Sequence, residues 1–262
     1  HADGAILVLL DNDTEVEPDW LRELVAVMES APGVGAAQAA LVVFESRDQI
    51  QLTGAELLPQ ACWGIPLEQG LNPAERSLQS REIIALSTAT AVRRDVFDQV
   101  GGFDEKLAVY SEDLEFSWRV WIAGWRILSA PRAVIYHRSA KDRSGMGGTL
   151  RHIYFNMGKN TLRSLTKNHG GWRLWRYLPV AVLTLAGRAV FRLFLGDTGC
   201  FRATARAFGW YFATLPDTLR ERRFVQRELR RRPDREIAAA VFSKKSWCGM
   251  IAHYVRCNYL RQ

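Results

Sequence analysis

Two carboxylates separated by one residue follow directly on an apolar segment near the start of the chain. Residues 5–10 are six apolar side chains in a row, and Asp11-Asn12-Asp13 comes next. An uninterrupted apolar run is typical of a strand buried on both faces of an α/β sheet. The carboxyl ends of such strands form the crevice where open α/β sheets bind ligands. Neighbouring carboxylates repel each other unless a cation or donor groups compensate them, so the spacing is compatible with a divalent cation site. The alternative is a plain turn before a helix that begins near Pro18.

A second acidic pair, Glu112-Asp113, lies further along the chain. It follows Tyr110 and Ser111 and opens an amphipathic segment that ends before Gly124. Ser111 is predicted to cap this helix, and acids are favoured in a first helical turn. A carboxylate there can also accept a proton from a hydroxyl group within hydrogen-bond distance. The residues alone leave both interpretations open, a helix-start acid and a general base.

The elements that must position these acids alternate between strands and helices, which predicts an α/β fold. Helices are predicted over 18–30, 95–100 and 112–123, strands over 5–10, 34–44, 49–58, 82–87, 125–128 and 133–137, and a long surface loop over 59–80. The Gly-rich segment 144–148 marks the end of this first unit, 1–148.

Charge is distributed unevenly along the chain. Residues 1–137 carry 10 basic and 21 acidic side chains, whereas residues 138–262 carry 25 basic and 7 acidic ones. We therefore expect cation binding in the first part and contact with an anionic surface in the second. Residues 149–245 are predicted to be basic, membrane-associating helices, and residues 246–262 form a tail for which the sequence suggests no role.

One helix of the basic region has an unusual pattern. Residues 172–195 are rich in Trp, Tyr, Leu, Val and Phe, but the longest uncharged run has 11 residues, which is short for a membrane span. Thr184, Arg188 and Arg192 recur every four residues and predict one polar stripe on an apolar helix. This favours a helix in a membrane interface, with an amphipathic helix packed on the first unit as the alternative. The seven arginines within 220–232 are predicted to face anionic lipid headgroups. Few aromatic residues lie among them, so no nucleic-acid partner is expected.

The four cysteines show neither a CxxC pair nor a zinc-type spacing with histidine. We expect reduced thiols in a cytoplasmic protein without structural zinc.

Taken in order, the motifs resemble the family 2 nucleotide-sugar glycosyltransferases of bacteria, among them rhamnosyltransferases. The resemblance runs from Ala5 to about residue 167 and more loosely to Glu236. It rests on these segments: Asp11-Asn12-Asp13, Ser87-Thr88-Ala89-Thr90, Arg93-Arg94, Val100-Gly101-Gly102-Phe103-Asp104-Glu105, Tyr110-Ser111-Glu112-Asp113, Arg119, Ala123-Gly124-Trp125, Pro131 and His137.

The resemblance implies a GT-A fold, Rossmann-like with a mostly parallel sheet, followed by basic amphipathic helices. It also implies Mg²⁺ or Mn²⁺ as cofactor, with Asp13 as the direct metal ligand. Asp11 would face the donor's ribose or reach the metal through water, and His137 would complete the metal or diphosphate site. Asp113 would be the catalytic base, and Glu112 would bind or orient the acceptor.

Further residues carry less specific expectations. Gly102, Phe103 and Asp104 would shape the acceptor side, although a plain turn with a core phenylalanine has the same pattern. Trp125 would stack on a sugar ring or pack in the core. Arg119 is predicted to pair with an acid of its own helix.

The resemblance implies an inverting transferase that moves a sugar from a nucleotide-diphosphate donor to a glycan or lipid-linked acceptor. It would act in the cytoplasm, peripherally at the inner face of the cell membrane. Two departures stand out: Glu115 replaces a shorter acid of the family pattern, and the strands that hold the nucleotide base do not precede Ala5. We therefore expect an N-terminally truncated, C-terminal part of the domain. The alternatives are a non-catalytic nucleotide or cation-binding module and a nucleotidyltransferase using the same acids.

Overall fold

The computed structural model describes residues 2–85, 88–138 and 150–244. Eight strands belong to two sheets: β1 Ile6–Leu9, β2 Thr14–Val16, β3 Val34–Val43, β4 Ile50–Leu52, β5 Ala55–Leu58, β6 Trp63–Pro66, β7 Thr90–Arg93 and β8 Arg126–His137. The main sheet has the order β1-β7-β3-β8-β2, with β4 paired to β3, while β5 and β6 form a hairpin.

Eight α-helices accompany the strands in the described residues: α1 Trp20–Glu29, α2 Arg94–Val100, α3 Glu112–Ile122, α4 Leu150–Asn168, α5 Gly171–Phe194, α6 Thr198–Ala213, α7 Leu215–Arg223 and α8 Asp234–Val241. A π-helical turn, Phe224–Leu229, continues α7, and a 3₁₀ turn covers Pro73–Glu75. The predicted α/β class is confirmed.

The expectation of a mostly parallel sheet is wrong. Among the described strand pairs of the main sheet, only β3 and β8 run parallel, and β1, β2, β4 and β7 all join antiparallel. The error arose because the apolar runs of β1 and β3 indicate burial on both faces, and burial is compatible with either direction.

The sheet brings three strand ends to one edge. β1, β3 and β8 point the same way, so Asp11–Asp13 and His137 follow or end strands at the same carboxyl edge. β1 and β2 lie at opposite ends of the strand order, about 19 Å apart in a flat sheet. The five residue steps between Leu9 and Thr14 span at most about 17 Å. The short connection therefore requires the sheet to curl, and the curl draws the acidic turn over this edge.

Two apolar cores cover the faces of the sheet. One contains Leu24 and Met28 of α1 against small residues of β3 and β8. The other contains Trp118 and Trp121 of α3 together with residues of α2, α4 and α8. Of the helices beyond β8, α4 and α8 thus contribute to the core of the first unit, while Tyr154 of α4 forms a smaller apolar cluster with Cys200 and Ala203 of α6.

Several local predictions differ from the structure. Ser111 occupies the position before α3 but adopts a left-handed φ of 65°, and its side chain makes no capping bond. It donates instead to the carbonyl of Cys62 at 3.3 Å. The predicted loop 59–80 contains strand β6, and the two strands predicted around Pro131 form one continuous strand, β8. The segment 144–148 and the tail 246–262 lie outside the described residues.

Candidate active site

Two aspartates and one histidine meet at the carboxyl edge of the sheet. Asp11, Asp13 and His137 each present one ligand atom within 4.8 Å of the others. The pairing of β2 with β8 brings Asp13 to His137, because Thr14, the residue after Asp13, lies opposite His137. His137 is buried, Asp13 is half-buried and Asp11 is exposed, so the cluster opens to solvent on the Asp11 side.

The cluster has the features of a cation site. The Oδ1 atom of Asp13 is buried and makes no hydrogen bond to any described residue. Nε2 of His137 lies 3.4 Å from this oxygen. A buried carboxylate oxygen without a hydrogen bond is costly unless a cation compensates it. Two carboxylates suit the hard ions Mg²⁺ and Mn²⁺, and the imidazole favours Mn²⁺ between them. These residues therefore fit the metal implied by the resemblance.

Two residues that orient the cluster were not identified from the sequence. Gln51 Oε1 lies 2.7 Å from Nδ1 of His137. A bond from Nδ1–H to this oxygen leaves Nε2 as an acceptor, the form in which histidine binds metals. The hydroxyl of Thr88 donates to Asp11 Oδ2. Gln51 carries no sequence signal, whereas Thr88 is part of the motif 87–90 and could have been assigned.

The second acidic pair, Glu112-Asp113, lies within electrostatic range of Asp11. Burial raises the pKa of Glu112 to about 7, and the charges of Asp113 and Asp11 add to the rise. Oε2 of Glu112 is buried without a hydrogen bond to any described residue. Asp113 accepts the backbone N–H of Leu114 through Oδ1 at 2.7 Å. The charge of Asp11 thus acts on Glu112, although the two acidic motifs are about 100 residues apart in sequence.

Asp104, predicted to contact the acceptor, lies in a buried ion network instead. Its carboxylate accepts Nε of Arg163 at 2.8 Å and also the ammonium of Lys167. Burial would raise the pKa of Asp104, but the bond to Arg163 and the charge of Lys167 hold it well below its usual range. The side chain is 7% exposed, so the network leaves it little access to a substrate.

Gly102 and Phe103 also have structural contacts. Gly102 adopts a φ of 64° just after α2 and donates its N–H to the carbonyl of Phe97 at 3.0 Å. The ring of Phe103 lies 4.9 Å from that of Phe116 and 6.0 Å from that of Phe97. Of the two expectations, the structure supports the turn with a core phenylalanine.

The prediction for Arg119 is confirmed. It pairs with Glu115, one turn earlier in α3, at 2.7 Å, and both side chains are buried. Lys167 of α4 lies 3.0 Å from the same glutamate. Glu115, the longer acid noted in the sequence, thus reaches two cations inside the protein.

Trp125 is not at the metal cluster. Its indole N–H donates to Gln99 at 2.8 Å, and its Cβ lies against Gly35. Val34 and Val43 of β3 pair with Arg126 and His137 of β8, so the two ends of β8 lie about 30 Å apart. Because Trp125 precedes the far end, it cannot stack on a sugar held near His137.

The arginines of 220–232 divide into two groups. Arg220, Arg223, Arg227 and Arg231 are exposed and are thus accessible to an anionic surface. Arg222 donates to the carbonyls of Thr166 and His169 at 2.5 and 2.6 Å. Arg230 donates to the carbonyl of Asn168 at 2.6 Å, and Arg232 to that of Gly124 at 2.8 Å. These three arginines satisfy carbonyls at the C-terminal ends of α3 and α4. The expectation that all seven arginines face lipid is therefore wrong.

Helix α5 has its polar stripe facing inward. Arg188 and Arg192 lie 4.9 and 5.8 Å from the ring centroid of Tyr154 in α4. The opposite side of α5 exposes a row of mostly apolar residues at helical spacing: Trp172, Trp175, Pro179, Leu183, Val190, Phe191 and Phe194. Trp175 and Phe194 are 80% and 85% exposed. We call this row the α5 apolar stripe.

In length and composition α5 meets the requirements of a membrane-crossing helix, with a mean hydropathy of 1.4 in its most apolar 18-residue window. Core helices of soluble proteins can be equally long and apolar, but they are mostly buried, whereas only 11% of this window of α5 is buried.

The fold and the paired acidic motifs place this chain in a defined class of proteins. A sequence model described as "Glycosyl transferase family group 2" matches residues 6–216. Because this match covers most of the chain, the protein belongs to that glycosyltransferase family.

Curated relatives agree with this assignment. The O-antigen biosynthesis protein RfbC of Myxococcus xanthus is 33% identical over 152 residues, covering 55% of this chain and 12% of the relative. The N-acetylglucosaminyl-diphospho-decaprenol L-rhamnosyltransferase of Mycobacterium tuberculosis is 33% identical over 109 residues, covering 42% of this chain and 33% of the relative. The chain thus spans a third or less of the length of these two relatives.

Among solved structures, GalNAc-T7 with UDP, GalNAc and Mn²⁺ aligns with 63% of this chain and 32% of its own. The TM-score is 0.46 at 19% identity, which is too low to support residue-level comparison.

Proposed function

We propose that the protein is an inverting, metal-dependent glycosyltransferase that uses a nucleotide-diphosphate sugar. The observation that carries the proposal is the cluster of Asp11, Asp13 and His137 at one sheet edge, whose ligand atoms could hold a cation. The second acidic motif lies within electrostatic range of it, because the charge of Asp11 adds to the raised pKa of Glu112. Sugar transfer to a hydroxyl needs a cation at the departing diphosphate and a base near the hydroxyl, and this edge offers both.

We assign the metal to Asp13, His137 and, directly or through water, Asp11. A divalent ion held there would neutralise the charge that develops on the departing diphosphate. Gln51 fixes the tautomer of His137, and the hydroxyl of Thr88 holds the Asp11 carboxylate in place. The cofactor is Mg²⁺ or Mn²⁺, with Mn²⁺ favoured by the imidazole.

The base is assigned to Asp113, with Glu112 beside it to orient the acceptor. Direct attack of the activated hydroxyl on the side opposite the leaving group inverts the anomeric carbon and needs one carboxylate. Glu112 is the alternative base, because its raised pKa of about 7 matches a group that exchanges protons near neutral pH.

The test is nucleoside diphosphate release by the natural full-length protein from UDP-, GDP- and dTDP-sugars, with Mn²⁺ and with EDTA. We expect EDTA-sensitive release from one donor. Asp13→Asn should lose metal-dependent donor binding, whereas Asp113→Asn should abolish transfer and retain donor binding. If Glu112→Gln abolishes transfer and Asp113→Asn does not, Glu112 is the base. Metal and donor binding without turnover would identify a binding module, and pyrophosphate release a nucleotidyltransferase.

We further propose that the enzyme works at the cytoplasmic membrane surface on a glycan or lipid-linked acceptor. The α5 apolar stripe faces away from the protein along a helix of about 36 Å. The exposed Arg176, Arg202 and Arg206 lie on α5 and α6. Outward aromatic residues with nearby arginines are typical of helices that lie in an anionic membrane interface. The relative named as a decaprenol-linked rhamnosyltransferase is consistent with a lipid-linked acceptor.

Vesicle sedimentation tests this surface. Wild-type protein should bind vesicles containing phosphatidylglycerol more tightly than purely zwitterionic ones. Leu183→Glu, in the α5 apolar stripe, should weaken binding at least tenfold, whereas Leu21→Glu, at an exposed leucine of α1, should not. Equal binding by both variants would refute the assignment. Binding to single-stranded nucleic acid but not to vesicles would identify a different partner.

A further inference from the structure

Helix α4 buries an unusual number of polar side chains. Residues 159–169 are the C-terminal half of α4 and the residue after it. Nine of these eleven residues are polar and buried: Lys159, Asn160, Thr161, Arg163, Ser164, Thr166, Lys167, Asn168 and His169. Buried polar groups are tolerated when they are hydrogen-bonded, so their partners show what the helix holds in place.

Two of these residues bind the backbone segment that leads into the acidic pair. The amide of Asn160 lies 3.0, 2.9 and 2.6 Å from the carbonyl oxygens of Leu107, Val109 and Tyr110. Lys159 donates to the carbonyls of Lys106 and Leu107 at 2.7 and 3.1 Å.

Lys159 also orients the amide of Asn160. Its ammonium donates a third bond, 2.8 Å long, to Oδ1 of Asn160. This bond points the Nδ2 hydrogens at the loop carbonyls, and it uses the third hydrogen of the ammonium. The two side chains therefore act as one clamp on residues 106–110. Together they make five contacts with backbone carbonyls of this segment, all from inside the protein.

The clamped segment has a strained backbone. Ala108, Tyr110 and Ser111 have φ angles of 61°, 70° and 65°, a region that non-glycine residues seldom adopt. Such conformations persist only when surrounding contacts over-determine them, and they concentrate at functional sites. Here the last of them directly precedes Glu112. The direction in which α3 begins, and hence the placement of both carboxylates, depends on this segment.

We propose that Lys159 and Asn160 are positioning residues that hold residues 106–111 in their left-handed path and so aim Glu112 and Asp113 at the Asp11–Asp13–His137 cluster. This inference rests on the proposed function for its catalytic consequence, although the clamp itself can be tested without turnover.

The test compares Asn160→Asp with Thr166→Val in the full-length protein. Aspartate keeps the shape of asparagine and the bond to Lys159, but it cannot donate to the three carbonyls. Thr166 lies on the same helix and bonds the hydroxyl of Tyr211 at 2.8 Å, away from the acidic pair. We expect Asn160→Asp to lower kcat about 10- to 100-fold with the donor KM within about twofold, since a displacement near 1 Å can cost that much. Thr166→Val should lose stability but keep kcat.

Amide hydrogen exchange provides a readout independent of activity. Residues 107–115 should exchange faster in Asn160→Asp than in Thr166→Val at equal distance from their melting temperatures. If Asn160→Asp does not fold, Lys159→Met and Lys159→Arg replace it, and the arginine variant should retain more activity and more protection. Unchanged kcat and unchanged protection would overturn the clamp. Absent turnover in the wild type, with faster exchange in Asn160→Asp, would refute the proposed function and leave the clamp standing.

Discussion

Neutralising Asp104, which lies in a buried ion network, should cause a large loss of stability. Asp104→Asn keeps the side-chain shape but removes the charge that faces Arg163 and Lys167, which are 2% and 1% exposed. Removing one partner of a buried ion pair costs about 3–5 kcal/mol. We expect the lower end of this range, because Arg163 keeps Asp217 at 3.0 Å and Lys167 keeps Glu115 at 3.0 Å. For a chain of this size that corresponds to a fall in melting temperature of about 10 °C.

The stability difference between wild type and Asp104→Asn should depend on pH, and the pKa of Asp104 gives the direction. Although burial alone would raise the pKa of Asp104, the Arg163 bond and the Lys167 charge hold it below the ordinary value of 3.8. The unfolded chain therefore binds the proton first as pH falls. The stability gap between wild type and Asp104→Asn should be complete above about pH 4 and should shrink below it.

Urea denaturation at pH 7 and at pH 3 measures this gap. The matched control is Asp19→Asn, which neutralises an aspartate paired with Arg22 at 2.9 Å on the surface. Exposed pairs contribute about 1 kcal/mol or less. If Asp104→Asn and Asp19→Asn differ by less than about 1 kcal/mol at pH 7, the network does not stabilise the fold as argued.

Three further outcomes are expected. Because burial raises the pKa of Glu112 from 4.5 to about 7, the free energy of unfolding should fall by about 1–2 kcal/mol between these pH values in EDTA, and Glu112→Gln should abolish that fall. Arg222→Met should lower the free energy of unfolding by about 2 kcal/mol because two carbonyls at the end of α4 lose a charged donor, whereas Arg223→Met, at an exposed position, should change it little. Cys62, whose pKa burial raises to about 12, should resist iodoacetamide at pH 8 in the native protein and react after unfolding, as mass spectrometry can show.

The two acidic motifs of the candidate site were predictable from the sequence because their signals are local. An apolar strand followed by Asp11-Asn12-Asp13 places two carboxylates at a strand end whatever the rest of the sheet does. The Glu112-Asp113 pair at a helix start is equally local. The distance between the two acidic motifs was not predictable from the sequence. It depends on a curled sheet in which β1 and β2 lie at opposite ends of the strand order.

Strand direction and the role of Asp104 were not predictable for related reasons. β1 and β7 pair across about 80 residues, and no local pattern records whether such partners run parallel or antiparallel. Asp104 has a surface-like sequence context after two glycines, yet its partners Arg163 and Lys167 come from a helix about 60 residues later. Long-range ion pairs leave no periodic signal.

The basic part of the chain, residues 138–262, has more internal contacts than its charge predicts. This difference limits the residues that can contact a membrane. Its charge predicts one contact with an anionic surface. In the structure, however, five of the cations bind carbonyls and carboxylates within the protein: Lys159, Arg163, Lys167, Arg222 and Arg230. The proposal therefore depends on the α5 apolar stripe and on the exposed arginines of α5 and α6.

This division separates two kinds of arginine variant. Replacing Arg176 and Arg202 together by glutamine should weaken binding to phosphatidylglycerol vesicles while leaving the melting temperature unchanged, because both side chains are exposed. Replacing Arg222 and Arg230 should lower the melting temperature, because both satisfy the carbonyls that end α4. If the Arg222 and Arg230 variant loses vesicle binding at full stability, the inward assignment of these arginines is wrong, and the lipid-facing surface extends from α5 to residues 220–232.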